Sequence, residues 1–305
     1  MYNNWTEKYW KLILNENFED AIPLKNSNFP HSFFKYRSLS ERTLESLREG
    51  YIWLADISSL NDPFECTIQF DNNECWREYY STEKFKDTFK KTTGQILSQK
   101  ELRVLTVSAE PFKEYIRICG NRNIPFALTA EQQKQKIQNR WIEIQEETNR
   151  NLRICSFSLN KNSLLLWSHY ADEHKGICIE YNFEDIDVIR AFMQPIIYRD
   201  KVHKMGLMEE YSTMQMIGSS LIKSKDWEYE QEWRLTIFKQ QDNFPKKMPV
   251  PLPKAIYLGT RFKLVKKDLK DKLFLFTEEY KIPLFQMRKD SKEFKLISYN
   301  YKNDI

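Results

Sequence analysis

Trp227-Glu228-Tyr229-Glu230-Gln231-Glu232-Trp233-Arg234-Leu235-Thr236-Ile237 alternates charged and apolar residues as a half-buried strand does. On a strand, side chains point alternately to opposite faces. Glu230, Glu232, Arg234 and Thr236 then form one polar column, and Gln231, Trp233, Leu235 and Ile237 take the other face. The second column is apolar beyond Gln231 and belongs against a core. In the first, two neighbouring carboxylates disfavour each other's charge unless a cation such as Arg234 compensates. Such a face is either turned to water with cross-strand ion pairs or is the floor of a site.

Working outward, strand patterns recur at Ser32–Arg37, Tyr51–Ala55, Leu152–Ser158, Gly176–Phe183, Pro195–Tyr198, Ala255–Leu258, Pro283–Arg288 and Glu293–Tyr299. In Gly176–Phe183, Ile177, Ile179, Tyr181 and Phe183 share one face. Helical spacing marks residues 5–15, Ser163–Ala171, 205–224 and 264–280. Ser38 with Glu41 fits a capping box, opening a helix that buries Leu44 and Leu47 and stops at Gly50. Residues 71–150 are polar and lack strand signals; Ile137, Trp141 and Ile144 mark the buried stripe of the longest helix there. Strands and helices alternate only in part, so the reading is α+β: a mixed, mostly antiparallel sheet with flanking helices. One domain is expected over 1–305, with 71–150 as a mainly helical insertion or cap.

Composition narrows the function classes. The 305 residues carry 47 basic and 43 acidic side chains, a net charge of +4, too small to imply nucleic-acid binding without a patch. Lysines gather late, at Lys246, Lys247, Lys254, Lys263, Lys266, Lys267, Lys270 and Lys272, where a solvated helix and its preceding loop is the plain reading. Five cysteines with no C-x-x-C pair indicate neither a disulfide framework nor a thiolate zinc site. The N-terminal residues lack the basic-then-apolar pattern of a signal peptide, and no apolar run reaches membrane-spanning length. The expected address is the cytoplasm, with no membrane partner.

Two further motifs carry chemistry. Lys35-Tyr36-Arg37 ends the first strand, and Asn61-Asp62-Pro63-Phe64-Glu65 follows the second. A strand–helix–strand unit brings them close, so that Arg37 could clamp a phosphate or carboxylate bidentately; the alternative is an ion pair from Arg37 to Asp62 or Glu65. Trp167-Ser168-His169-Tyr170-Ala171-Asp172-Glu173-His174-Lys175-Gly176 joins a helix to a strand, where side chains often line a site. His169 is a candidate general acid or base, against the plainer reading of a capping histidine beside a core tyrosine. His169 and His174 are five apart and share no helical face for a metal.

Taken in order, Lys35-Tyr36-Arg37-Ser38, Asn61-Asp62-Pro63-Phe64-Glu65, Cys155-Ser156-Phe157-Ser158, Trp167-Ser168-His169-Tyr170 with His174-Lys175-Gly176, and Glu230-Gln231-Glu232-Trp233-Arg234 resemble the bacterial family called domain of unknown function 2971. That resemblance covers most of residues 33–300, least well over 71–150, and implies no activity by name. A more distant similarity is to ADP-ribosyltransferases, which place a basic residue on a first strand and a catalytic glutamate at the start of a late one, often with Gln or Glu two residues earlier. Arg37 (or Lys35) and Glu230-x-Glu232 stand in that order.

The similarity implies NAD as candidate substrate. Arg37 would hold the pyrophosphate or adenosine ribose. Glu232 would stabilise the oxocarbenium-like transition state as nicotinamide leaves, and Glu230 would orient the acceptor. Tyr170 would stack on nicotinamide, Ser156 or Ser158 would support Glu232, and Asn61, Asp62, Glu65, Trp167 and Arg234 would complete the binding set beside His169. The acceptor, protein or nucleic acid, is open; a toxin or phage-defence role is implied by resemblance alone. No metal is expected on this reading. Two alternatives stand beside it: a metal-dependent nuclease or phosphodiesterase using Asp62, Glu65, His169 and Glu232, or a non-catalytic protein- or nucleotide-binding module.

Overall fold

The apolar column of the quoted stretch lies against a core, and the polar column is buried as deeply, in a computed structural model that describes residues 4–69, 72–125, 130–204, 213–238 and 246–301. The strand itself runs Glu232–Phe238. It belongs to a nine-stranded sheet in the order Leu296–Asn300, Leu284–Lys289, Ala255–Leu258, Ile177–Tyr181, Phe33–Arg37, Leu152–Ser158, Glu232–Phe238, Met193–Pro195, with Ala55–Asp56 also paired to Leu152–Ser158. Among the described residues only Ala255–Leu258 and Leu284–Lys289 run parallel within it. The fold is α+β with a mostly antiparallel mixed sheet, as the partial alternation of strands and helices predicts.

One irregularity in this sheet matters for the site. The Phe33–Arg37 strand is zipped to Ile177–Tyr181 along its whole length. To Leu152–Ser158 on its other side it is joined only where Phe34 meets Ser158. Further along, Ile154 and Arg153 pair instead with Ala55 and Asp56. The two central strands diverge from a single ladder position, and the notch between them is open to side chains and ligands.

The main core explains why the strands lie where they do. Phe33, Cys155, Phe157, Ile177, Ile179, Tyr181, Phe183, Trp233, Leu235 and Ile237 share one cluster with Leu44 and Leu47 of the Glu41–Arg48 helix and Leu273 and Phe276 of the Lys267–Glu279 helix. Phe34, Tyr36 and Cys178, the alternate residues of the same strands, join Leu166, Trp167 and Tyr257 on the opposite face. Both sheet faces are covered, and the residues alternate between two cores as period two requires.

Several boundaries move. The Glu41–Arg48 helix is capped by Ser40, whose Oγ accepts from Thr43 N, and not by Ser38. Gly50 follows its end with φ +64°, the left-handed conformation glycine adopts freely. Tyr51–Ala55 divides: Tyr51–Trp53 pairs with Lys247–Pro249, and Ala55–Asp56 enters the main sheet. Of the helix expected over 205–224, Thr213–Ser219 is helical and Ile222–Ser224 is a strand parallel to Ile197–Arg199, while 205–212 lie outside the described residues.

Between the second and third sheet-forming segments the chain is helical, at Asn72–Ser81, Glu83–Thr93, Gln99–Val107, Pro111–Asn121 and Ala130–Asn151. Ser98 and Glu101 form a reciprocal capping box there. Tyr80, Phe85, Phe89, Leu97, Leu105, Ile118 and Cys119 make a core of their own. On the longest helix Ile144 is buried and Trp141 half-buried beside Ile68; the side chain of Ile137 lies outside the described residues. All five cysteines are buried and none is joined in a disulfide. Among the described residues no helix is long and apolar enough to cross a membrane.

Candidate active site

A cavity of about 850 Å³ occupies the notch. Its walls come from the diverging strands Phe33–Arg37 and Leu152–Ser158, the Glu41–Arg48 helix, and the end of the Leu164–Tyr170 helix. The start of the Glu232–Phe238 strand and Lys223 complete them. Among the site residues read from sequence, Lys35, Arg37, Asn61, Glu65, Ser156, Ser158, His169, Tyr170, Glu230, Glu232 and Arg234 line it.

Two do not. Trp167 is fully buried, donates its Nε1–H to Lys161 O at 2.9 Å, and packs edge-on to Tyr36; it is a core residue, not a ligand-binding ring. Asp62 is buried, and its Oδ1 accepts from Phe64 N at 2.9 Å. It shapes the turn that delivers Glu65.

The carboxylates are brought together by a kink. A 3₁₀ turn, Lys225–Glu230, precedes the strand, and Gln231 then takes a left-handed conformation, φ 44°. Glu230 therefore is not the first residue of the strand's polar column. It ends the turn instead, and its backbone carbonyl accepts from Ser158 Oγ at 2.6 Å. Its carboxylate and that of Glu232 converge on one ammonium: Lys223 Nζ donates to Glu230 Oε2 at 2.6 Å and to Glu232 Oε2 at 2.9 Å. Tyr170 OH donates to Glu230 Oε1 at 2.9 Å, and Asn61 Nδ2 donates to Tyr170 OH at 3.2 Å.

Behind Glu232 stands Arg234. Its Nε donates to Glu232 Oε1 at 2.9 Å, and its two terminal nitrogens grip Glu65 at 2.5 and 3.2 Å; Nη1 also donates to Ser220 O at 2.5 Å. All the charged members are buried. The ion pair considered between Arg37 and Glu65 is not formed, because Glu65 is taken up by Arg234. Glu65 and Arg234 border the cavity, but they act on each other and on Glu232 before they can act on a ligand.

The environment splits the two glutamates. Burial outweighs the help of Lys223 at Glu230, and the neighbouring Glu232 charge adds to it, so the Glu230 carboxyl titrates above the usual range. At Glu232 burial is overcome by Arg234 and Lys223, with the Ser156 side chain assisting, and the carboxyl is held below that range. Three carboxylates (Glu65, Glu230, Glu232) face two cations (Lys223, Arg234). Glu230 is the charge in excess, and of the two glutamates it holds a proton the more tightly.

Across the notch, Arg37 is exposed at the cavity mouth. Its backbone carbonyl is crowded by the turn after the Leu164–Tyr170 helix, where Asp172, Glu173 and His174 have φ of 47°, 52° and 68°. A Cβ on Gly176 would fall 2.2 Å from Arg37 O, so glycine there lets the turn that follows His169 and Tyr170 press against the first strand. His169 is exposed on the cavity wall; His174 turns away, its Nε2 3.1 Å from Ser168 Oγ. Among the described residues no group of three or more His, Cys, Asp or Glu side chains is placed to hold a metal ion.

Lys223 and Tyr198, whose hydroxyl accepts from Glu232 N at 2.7 Å, were not legible as site residues from the motifs. The usable signal was indirect: two glutamates in an otherwise buried strand need more cationic partners than Arg234 alone.

The molecule is thus an α+β protein with a cleft through its sheet and a buried ionic network on the cleft floor. Residues 166–235 match the family described as Protein of unknown function (DUF2971). This bears out the resemblance over the stretch that holds the Trp167–Gly176 and Glu230–Arg234 motifs. Comparisons with curated proteins and with solved structures gave no match.

Proposed function

We propose that the cleft binds NAD and that the protein is an ADP-ribosyltransferase-like enzyme of the cytoplasm, passing ADP-ribose to a macromolecular acceptor or to water. The observation that carries this reading is the convergence of Arg37 and the Glu230–Glu232 pair on one cavity of about 850 Å³, large enough for a dinucleotide. The metal-dependent alternative required ligands converging among Asp62, Glu65, His169 and Glu232; Asp62 caps a turn and Glu65 is bound to Arg234, so it is not carried forward.

On this reading Arg37 holds the pyrophosphate at the mouth. The bond between the nicotinamide nitrogen and the ribose carbon breaks with its electron pair leaving on nicotinamide, and positive charge develops on the ribose. Glu232, kept ionised by Arg234 and Lys223, stabilises that cation in a site shielded from water. The acceptor oxygen or nitrogen then bonds to the same carbon, and its proton passes to Glu230. A carboxyl whose affinity for protons is raised beside one whose affinity is lowered is the arrangement that separates acid–base from electrostatic work. Tyr170, held between Asn61 and Glu230, offers its ring to the nicotinamide.

Nicotinamide release from NAD by the purified protein, with cell extract as acceptor source, tests the reading. Turnover that falls about 100-fold or more in Glu232→Gln and Glu230→Gln, with both variants folded, is the expected result. No release by the folded wild type, with or without extract, overturns it.

A further inference from the structure

The cleft holds two lysines in opposite circumstances. Lys223 is pinned between two carboxylates, and these outweigh its burial and raise its affinity for protons. Lys35 forms no ion pair among the described residues. Its Nζ donates to a neutral acceptor, Ser156 O, at 2.6 Å and lies 5.3 Å from the centre of the Phe157 ring. By alternation Lys35 shares the sheet face of Phe33, opposite Ile179, but the notch lets its amine cross to the Leu152–Ser158 strand and line the cavity.

We propose that Lys35 is a nucleophilic amine of the cleft, which takes the aldehyde or ketone of a phosphorylated sugar as an imine. Arg37 supplies the phosphate half of this specificity. It lies two residues on, on the same face, about 6.5–7 Å along the strand, exposed at the mouth and free of ion pairs among the described residues. That separation suits a carbonyl and a phosphate at two ends of a short sugar chain.

The step balances without a further reagent. The neutral amine adds to the carbonyl carbon, forming the C–N bond, and one amine proton passes to the oxygen. That oxygen leaves as water with a second proton from the Glu230 carboxyl, and a protonated imine remains. Water reverses the sequence.

The chemistry demands an amine that is neutral near pH 7. Burial is the largest influence on Lys35 and lowers its affinity for protons. Arg37 on its own strand acts in the same sense, and Cys155 on the adjoining strand and Glu232 on the strand beyond it act against it without reversing it. Lys25 is the internal comparison. It too is buried, with an amine titrating at about 8, but it donates to Arg190 O and Ala191 O and does not line the cavity.

The test is reductive trapping on the wild-type protein, which needs neither NAD nor a glutamate variant and so stands or falls apart from nicotinamide release. One equivalent of glyceraldehyde 3-phosphate is added with cyanoborohydride at pH 7, and peptides are mapped by mass. The expected result is that Lys35 carries most of the label, with Lys25 and exposed amines such as Lys263 and Lys267 nearly unlabelled. Raising the pH to 9 adds less at Lys35 than at exposed lysines, which gain about tenfold per unit, as an ordinary amine must. Non-phosphorylated glyceraldehyde, or an Arg37→Gln variant, lowers labelling of Lys35 about tenfold and leaves the surface pattern unchanged. Label spread over exposed lysines, with Lys35 no more reactive than they, overturns the proposal. Equal labelling by the two aldehydes overturns the phosphate half of it.

Discussion

On one face of the Glu232–Phe238 strand, Trp233, Leu235 and Ile237 are 4%, 0% and 3% exposed; on the other, Glu232, Arg234 and Thr236 are 3%, 1% and 2% exposed. Burial alone does not distinguish the faces, but what burial does to them is opposite. Each apolar side chain gains on the order of 1.5–3 kcal/mol by leaving water, in almost any well-packed orientation. Each charge loses hydration worth several kcal/mol and recovers it only where partners meet it at the right angle and distance. The apolar face therefore accounts for the stability of the sheet. The charged face fixes where two carboxylates stand, at a cost a purely structural strand need not carry.

Removing one charge should have the largest effect on the polar face. Arg234→Met leaves Glu65 and Glu232 buried without their shared cation, and should cost about 3–5 kcal/mol. Adding Glu65→Gln to that variant should restore part of the loss, because one of the two stranded carboxylates goes with it. Urea denaturation of the single and double variants checks both statements. A cost below about 1 kcal/mol for Arg234→Met would mean that the network is wetter or looser than its hydrogen bonds imply.

Leu235→Ala is the matching change on the other face, one position away. It removes apolar volume from the main core, leaving a cavity the neighbours fill only in part, and should cost about 2–4 kcal/mol. Here no second substitution across the strand should compensate. The urea midpoint should fall with the slope of the transition unchanged. If Leu235→Ala proved as costly as Arg234→Met and was rescued by a Glu65 variant, the two faces would not be independent.

The same contrast explains what could be read from the sequence. Trp233, Leu235 and Ile237, or Ile177, Ile179, Tyr181 and Phe183, announce their strands because burying apolar groups is a matter of spacing alone. Side-chain alternation places Glu230 on the strand, but Gln231 adopts φ 44°, a conformation that glutamine does not advertise and that its carbonyl's bond from Leu159 N helps to hold. Lys223 stood in a segment expected to be helical, and it reaches the glutamates only because Ile222–Ser224 pairs with Ile197–Arg199, a long-range choice. Trp167 and Asp62 were recognisable as members of motifs, but membership does not say which way a side chain points. The notch itself had no local signature, since it arises from one strand exchanging partners along its edge.

A smaller effect follows from the unequal affinities of the two glutamates. A carboxyl raised above its ordinary value near 4.5, as Glu230 is, contributes stability that is complete below that value and fades as pH rises through the raised one. Glu232 is lowered, so its contribution is complete above 4.5 and fades as pH falls below it. Between pH 7 and 3 the advantage of wild type over Glu232→Gln should therefore shrink as the solution is acidified. The balance between wild type and Glu230→Gln should move in favour of wild type over the same range. Urea midpoints measured across it would show two curves of opposite slope; parallel curves would mean that the carboxyls titrate alike.

The mildest test lies at the third residue of the charged face. Thr236 is 2% exposed, and its Oγ1 has no hydrogen-bond partner among the described residues. Glu232 and Arg234 have theirs, so Thr236 marks where the network ends and the polar column becomes only a buried hydroxyl. Thr236→Val keeps the branched shape and deletes a group that folding dehydrates without compensation. It should raise stability by roughly 1 kcal/mol or slightly less, seen as an upward shift of the urea midpoint. If it lowered stability instead, the hydroxyl would be bonded in solution, and the polar face would extend one residue deeper into the sheet than its side-chain partners indicate.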